Sequence, residues 1–141
     1  MTDRAALIDQ FIQVHKWGKA ERKGLPHDLS HRRYQRLTKT TRTGGKETVL
    51  VMDAPPEHED VRPYIAIDTL LRDLGYSAPE IHAKNVKAGL LLIEDFGYAT
   101  FTRVLKKGLM TDRDLYGLAI DFLADLHTRD LGQTETVVPA Y

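Results

Sequence analysis

The chain has no cysteine. That excludes disulfides, thiolate nucleophiles and cysteine-based zinc sites, and it suits a reducing cytosol. It has no surplus of either charge, with 20 Lys and Arg against 20 Asp and Glu. No global field therefore draws it to nucleic acid or to a membrane surface. No apolar run approaches the roughly 18 residues a membrane span requires. The N-terminal Met-Thr-Asp-Arg leads into an amphipathic segment rather than a signal core. We therefore expect a cytoplasmic protein with no nucleic acid and no membrane among its partners. The glycine-based nucleotide motifs are missing too, since neither G-x-x-x-x-G-K-[ST] nor G-x-G-x-x-G occurs. The histidines are scattered, without H-E-x-x-H or another pair at metal spacing.

What is present is ordinary globular composition, 42% hydrophobic and 28% charged over 141 residues. That is the size of one domain. Leu7, Ile8, Phe11, Ile12 and Val14 recur at helical spacing, with Trp17 completing the stripe. This predicts a helix over 3–17, with Gly18 or Gly24 as its stop. His31–Lys39 and Thr48–Asp53 read as strands joined through Gly44-Gly45. Pro55-Pro56 ends the second, because proline cannot continue a ladder. Asp60 caps a helix with Pro63 in its first turn, and Ile67, Leu70, Leu71 and Leu74 form its apolar face. Gly75 suits the C′ position. Glu80–Lys84 and Leu90–Ile93 read as strands around a turn at Asn85–Gly89. Thr100–Lys107 reads as a short helix. Thr111 or Asp112 caps another, with Leu115, Leu118, Ala119, Phe122, Leu123 and Leu126 inside. Residues 131–141 show no periodicity. The order helix, hairpin, helix, hairpin, short helix, helix predicts an α+β fold with an antiparallel sheet.

Charge is segregated in one place. From His31 to Lys46 there are six Lys and Arg and no acid, and from Glu47 to Asp60 there are five acids. On a strand Arg32, Tyr34 and Arg36 share one face, while Arg33 and Gln35 share the other. Guanidinium forks on one face can hold phosphate. The competing reading is a solvated edge strand whose charges oppose aggregation. Glu57, Glu59 and Asp60 read as a solvated loop rather than a cation site. Gly44-Gly45-Lys46 joins two strands and opens no helix, so it reads as a turn and not a P-loop. His127-Thr128-Arg129-Asp130 has one residue too many for a kinase H-R-D and reads as a helix C-terminus.

Three segments together carry a resemblance. S-H-R-R-Y-Q-R-L, V-L-V-M-D-A-P-P-E-H-E-D-V-R-P-Y and L-L-L-I-E-D-F-G look like the aminoglycoside phosphotransferase family. Within it they are closest to bacterial cell-wall sugar kinases that phosphorylate an anomeric hydroxyl. The likeness runs from about Phe11 to Tyr141. It implies a protein-kinase-like N-lobe over 1–97, with a sheet of about five strands and a packed helix. Residues 98–141 would be the hinge and the start of a C-lobe.

The same resemblance implies ATP as cofactor and a small-molecule acceptor, an amino sugar, as partner. His27–Arg33 would cover the phosphates, which brings in Ser30, His31, Arg32 and Arg33. Glu94, Asp95 and Phe96 would be the hinge that receives adenine. Met52 stands where the family carries a phosphate-binding lysine, and Arg33, Arg36 or Lys46 would have to substitute. The helix after Asp60 carries no glutamate, so Asp60, Asp68 or Asp73 would supply the carboxylate that such kinases place there. The catalytic residues and the ligands for Mg²⁺ would lie in a C-lobe downstream, and this chain alone would not turn over. A non-catalytic kinase-like module is the alternative that Met52 favours. A basic-strand nucleic-acid binder is a third.

Overall fold

The computed structural model describes residues 3–131, which fall into two compact units divided between Asp95 and Phe96. The first unit is built on a five-stranded antiparallel sheet. Its strands are β1 (Glu21–Gly24), β2 (Arg33–Thr40), β3 (Lys46–Asp53), β4 (Ile81–Asn85) and β5 (Leu90–Glu94), in the spatial order β1-β2-β3-β5-β4. Helices α1 (Arg4–Val14) and α2 (Val61–Asp73) lie on opposite faces.

Strand alternation decides which side chain meets which helix. Leu37, Val49, Val51, Leu90 and Leu92 pack with Ile8, Phe11, Ile12 and Trp17. Met52, Leu91 and Ile93 pack with Ala54 and Val61, and Tyr34, Tyr64 and Ile65 close around them. β5 is thus covered on both faces, which is why L-L-L-I is apolar without interruption.

α1 ends earlier than its apolar stripe predicts. It stops at Val14, and neither Gly18 nor Gly24 is the stop. Lys16 takes the left-handed conformation (φ 66°), its N–H bonds the Gln13 carbonyl, and the Trp17 N–H bonds that of Ile12. This is a Schellman closure with lysine at the usual glycine position. The strain, about 1–2 kcal/mol, is offset because the turn buries Trp17 in the α1-side core. α2 follows its sequence signals closely. Asp60 caps it by accepting from the Arg62 N–H at 2.9 Å. At its other end Gly75 (φ 86°) and Tyr76 bond back to Arg72 and Leu71.

β1 was not legible. Glu-Arg-Lys-Gly is fully exposed and has no alternation, as suits a short charged edge. Its presence overturns the edge-strand reading of β2, which lies between β1 and β3.

The second unit holds α3 (Phe101–Lys106) and α4 (Asp112–Thr128). Thr100 and Thr111 cap them, and His127 and Thr128 close α4 as expected of a helix end. The interior predicted for α4 is corrected. Leu115 is buried, but Leu118, Phe122 and Leu123 are exposed, so the stripe is real and uncovered among the described residues. Residues 132–141 lie outside the description.

Candidate functional site

The candidate residues occupy three places. The β1–β2 loop carries Ser30, His31 and Arg32 and leads into Arg33 at the start of β2. This loop is internally braced, with the Ser30 N–H bonded to Asp28 Oδ1 at 2.8 Å and the Arg32 N–H to Ser30 Oγ at 3.1 Å. Ser30 Oγ is therefore already an acceptor within the loop. Arg33 is exposed, and no ion pair among the described residues holds it.

The loop is tied to the segment that follows β3. Arg32 Nε donates to Glu59 Oε2 at 3.0 Å, and its guanidinium lies 5.7 Å from the centre of the Tyr64 ring. The His31 and His58 rings stack, with centroids 4.4 Å apart and planes 19° apart. The Pro55-Pro56 turn makes this reachable, since the His58 and Glu59 N–H groups both bond the Pro55 carbonyl at 2.9 Å. Sequence reasoning left Glu59 in a solvated loop and gave His58 no part.

The second place is the end of β5. Asp95 receives Arg36 in a fork, Nε to Oδ2 at 2.6 Å and Nη2 to Oδ1 at 2.8 Å. The side chains are 5% and 3% exposed. The guanidinium proposed as a stand-in for lysine is thus engaged by a carboxylate. The Glu94 N–H bonds the Glu80 carbonyl at 2.8 Å and Glu94 Oε2 accepts from the Glu80 N–H at 3.0 Å. Phe96 is 58% exposed.

The third place is the inner face of α2. Met52 is completely buried against it, so its thioether is a packing group. Lys46 opens β3 at the far end of the strand, paired with Thr40, while Met52 pairs with Tyr34. Six residues at about 3.3 Å each put some 20 Å between them. Of the three α2 carboxylates weighed from sequence, Asp60 is an exposed cap bonded to Arg62, and this bond holds its carboxyl below the usual range. Asp73 is exposed at the helix end. Asp68 alone faces inward, 6% exposed, and its Oδ1 has no hydrogen-bond partner among the described residues. Burial raises its pKa, and the nearby Arg72 opposes the rise. Tyr64, one turn earlier, is pushed up to about 12 by burial first, then by the charges of Tyr34 and Asp68. Tyr34 and Tyr64 are half-buried against the α2-side core, and the Arg32 guanidinium lies beside Tyr64.

A buried acid whose pKa is raised destabilises the fold when it ionises. The folded value lies above the unfolded 3.8, so the penalty is absent at low pH, grows as pH climbs through the raised value and is complete above it. Asp68→Asn is expected to stabilise the protein by about 1 kcal/mol at pH 7, with the gain vanishing near pH 3. Thermal melts at both pH values read this, and an equal gain at both would remove ionisation as its cause.

The arrangement joins a braced loop, an arginine at its exit, a buried carboxylate on the packed helix and a strand end fixed by an ion pair. Among the described residues no three His, Asp or Glu side chains group as metal ligands, and no helix is long and apolar enough to cross a membrane.

The model of the family described as "Phosphotransferase enzyme family" matches residues 21–136. The N-acetylmuramate/N-acetylglucosamine kinase of Pseudomonas aeruginosa is 36% identical over 137 residues, covering 95% of this chain and 38% of that protein. The protein of the same name from Pseudomonas putida is 33% identical over 101 residues, covering 70% and 28%. That from Caulobacter vibrioides is 28% identical over 153 residues, covering 89% and 40%. The chain thus spans well under half the length of the curated relatives it matches.

Proposed function

The chain belongs to the phosphotransferase enzyme family, and from that premise we propose that it is the ATP-binding part of a kinase acting on an amino sugar. One observation carries the ATP reading. The β1–β2 loop enters the sheet at Arg33, opposite Asp53, while β5 ends at Glu94, opposite Val49 and hence level with Leu37. Four strand residues separate the two levels, about 13 Å. That is the scale of a nucleotide rather than of a sugar. The Ser30 and Arg32 N–H groups are already bonded within the loop, so the phosphates would lie against the backbone N–H of His31 and the guanidinium of Arg33. Adenine would lie toward residues 94–96. The Glu94 N–H is already used by Glu80, so its neighbours' main chain would make the adenine contacts. Met52 would be part of the wall behind the nucleotide.

Among the described residues no three His, Asp or Glu side chains group as metal ligands, and no step is assigned to Mg²⁺. Its ligands and the catalytic base would come from outside residues 3–131. What this part supplies is positioning and charge around the triphosphate. Cytoplasmic placement, expected from composition, belongs to the same proposal.

The test uses the full-length protein, ATP and N-acetylmuramate or N-acetylglucosamine. Sugar phosphate is expected to form. Arg33→Ala should raise the KM for ATP roughly tenfold, the loss of one charge-assisted phosphate contact. An unchanged KM removes Arg33 from the site. A second reading, a non-catalytic kinase-like module, is favoured by Met52 at the lysine position. It predicts ATP binding without turnover.

A further inference from the structure

Two contacts join the β1–β2 loop to the segment after β3. The Arg32–Glu59 ion pair is partly sheltered, with side chains 30% and 20% exposed. The His31–His58 stack is exposed on both sides. The segment itself is anchored independently. The Ala54 N–H bonds the Gly89 carbonyl at 2.9 Å, and Asp60 begins α2. One partner is therefore fixed to the sheet and the helix. The other is a loop held otherwise, among the described residues, by its strand ends, its own turn and the approach of the Arg32 guanidinium to the Tyr64 ring.

We propose that His58 and Glu59 are positioning residues for nucleotide binding: a latch that holds the β1–β2 loop in place over the phosphates before ATP arrives. This rests on the ATP reading above. A loop that must contribute a backbone donor loses affinity in proportion to the time it spends elsewhere. Glycine-rich loops solve close approach with flexibility, but here the loop carries His-Asp-Leu-Ser-His-Arg in place of glycines, and Leu29 on it is fully exposed. A stack and an ion pair to a fixed neighbour supply order by another route. They act through the loop, so neither His58 nor Glu59 has to touch the nucleotide.

The experiment uses full-length protein, wild type against His58→Ala, Glu59→Gln and His58→Phe, with two readouts. The first is hydrogen exchange of residues 27–33 without nucleotide. His58→Ala and Glu59→Gln should speed it several-fold there, leave α1 and β5 unchanged, and His58→Phe should restore the wild-type rate by keeping a ring to stack on. The second is steady-state kinetics with ATP varied. The same two variants should raise KM roughly fivefold, with kcat changed by less than about twofold, and His58→Phe should restore KM. Exchange unchanged in both variants overturns the latch. Faster exchange with an unchanged KM overturns its role in nucleotide binding. A wild-type protein that binds no ATP sinks the ATP reading itself, and is told apart because the exchange readout needs no nucleotide.

Discussion

Arg36→Ala is expected to cost about 3–5 kcal/mol of stability. Few side-chain interactions in the first unit are as enclosed as the Arg36–Asp95 fork. Alanine leaves the Asp95 carboxylate in the same dry place without the guanidinium that neutralises it. Loss of the counter-charge in a buried place, more than the lost bonds, makes the cost large. The pair spans 59 positions of sequence and ties β2 to the residue after β5, so the loss also loosens the strand end at which adenine is proposed to bind. Arg36→Met combined with Asp95→Leu removes both charges and keeps the volume, and should recover most of the loss. Urea unfolding of the single and double variants measures both. A single variant within about 1 kcal/mol of wild type contradicts the argument.

Gly89→Ala is expected to cost at least about 3 kcal/mol. Gly89 sits at φ 64°, and an added Cβ would lie 1.9 Å from the Ala54 carbonyl oxygen. That carbonyl belongs to a residue buried completely and bonded through its own N–H to Gly89. Neither backbone can move without opening the turn between β4 and β5 or the chain leaving β3. Gly75 gives the contrast, with φ 86° and open space around its missing Cβ. Gly75→Ala should cost only the conformational strain, about 1–2 kcal/mol. Denaturation midpoints that rank the two variants equally would remove the close approach as the cause.

Much of the fold was legible because local chemistry and burial agree. Asp60, Thr100 and Thr111 cap helices by side-chain bonds two or three residues away, an arrangement written within one turn of chain. Gly44-Gly45 and Asn85–Gly89 close hairpins for the same local reason. β5 announced itself through an apolar run that only a doubly covered strand can keep. The family was legible from three segments read together, and the match over residues 21–136 bears it out.

Other features had no local signal. The α1 stop depends on Trp17 finding a core that the sequence does not display, and only that burial lets Lys16 hold a left-handed turn. β1 is three charged residues and a glycine, extended along the edge that β2 would otherwise leave free. Of the candidate site, the segments were readable and the partners were not.

Composition, periodicity and turn chemistry by themselves determined an α+β chain of antiparallel hairpins and capped helices, with a charged segment entering the sheet. Those are matters of neighbours in sequence. Tertiary structure alone decided that Arg36 faces Asp95, that Met52 packs while Asp68 has an oxygen unbonded among the described residues, and that His58 and Glu59 meet the loop before β2. Each of these depends on which strands lie side by side and which faces the helices cover. A residue's charge is fixed by its type, but whether that charge is solvated, paired or stranded is set by what the fold brings against it.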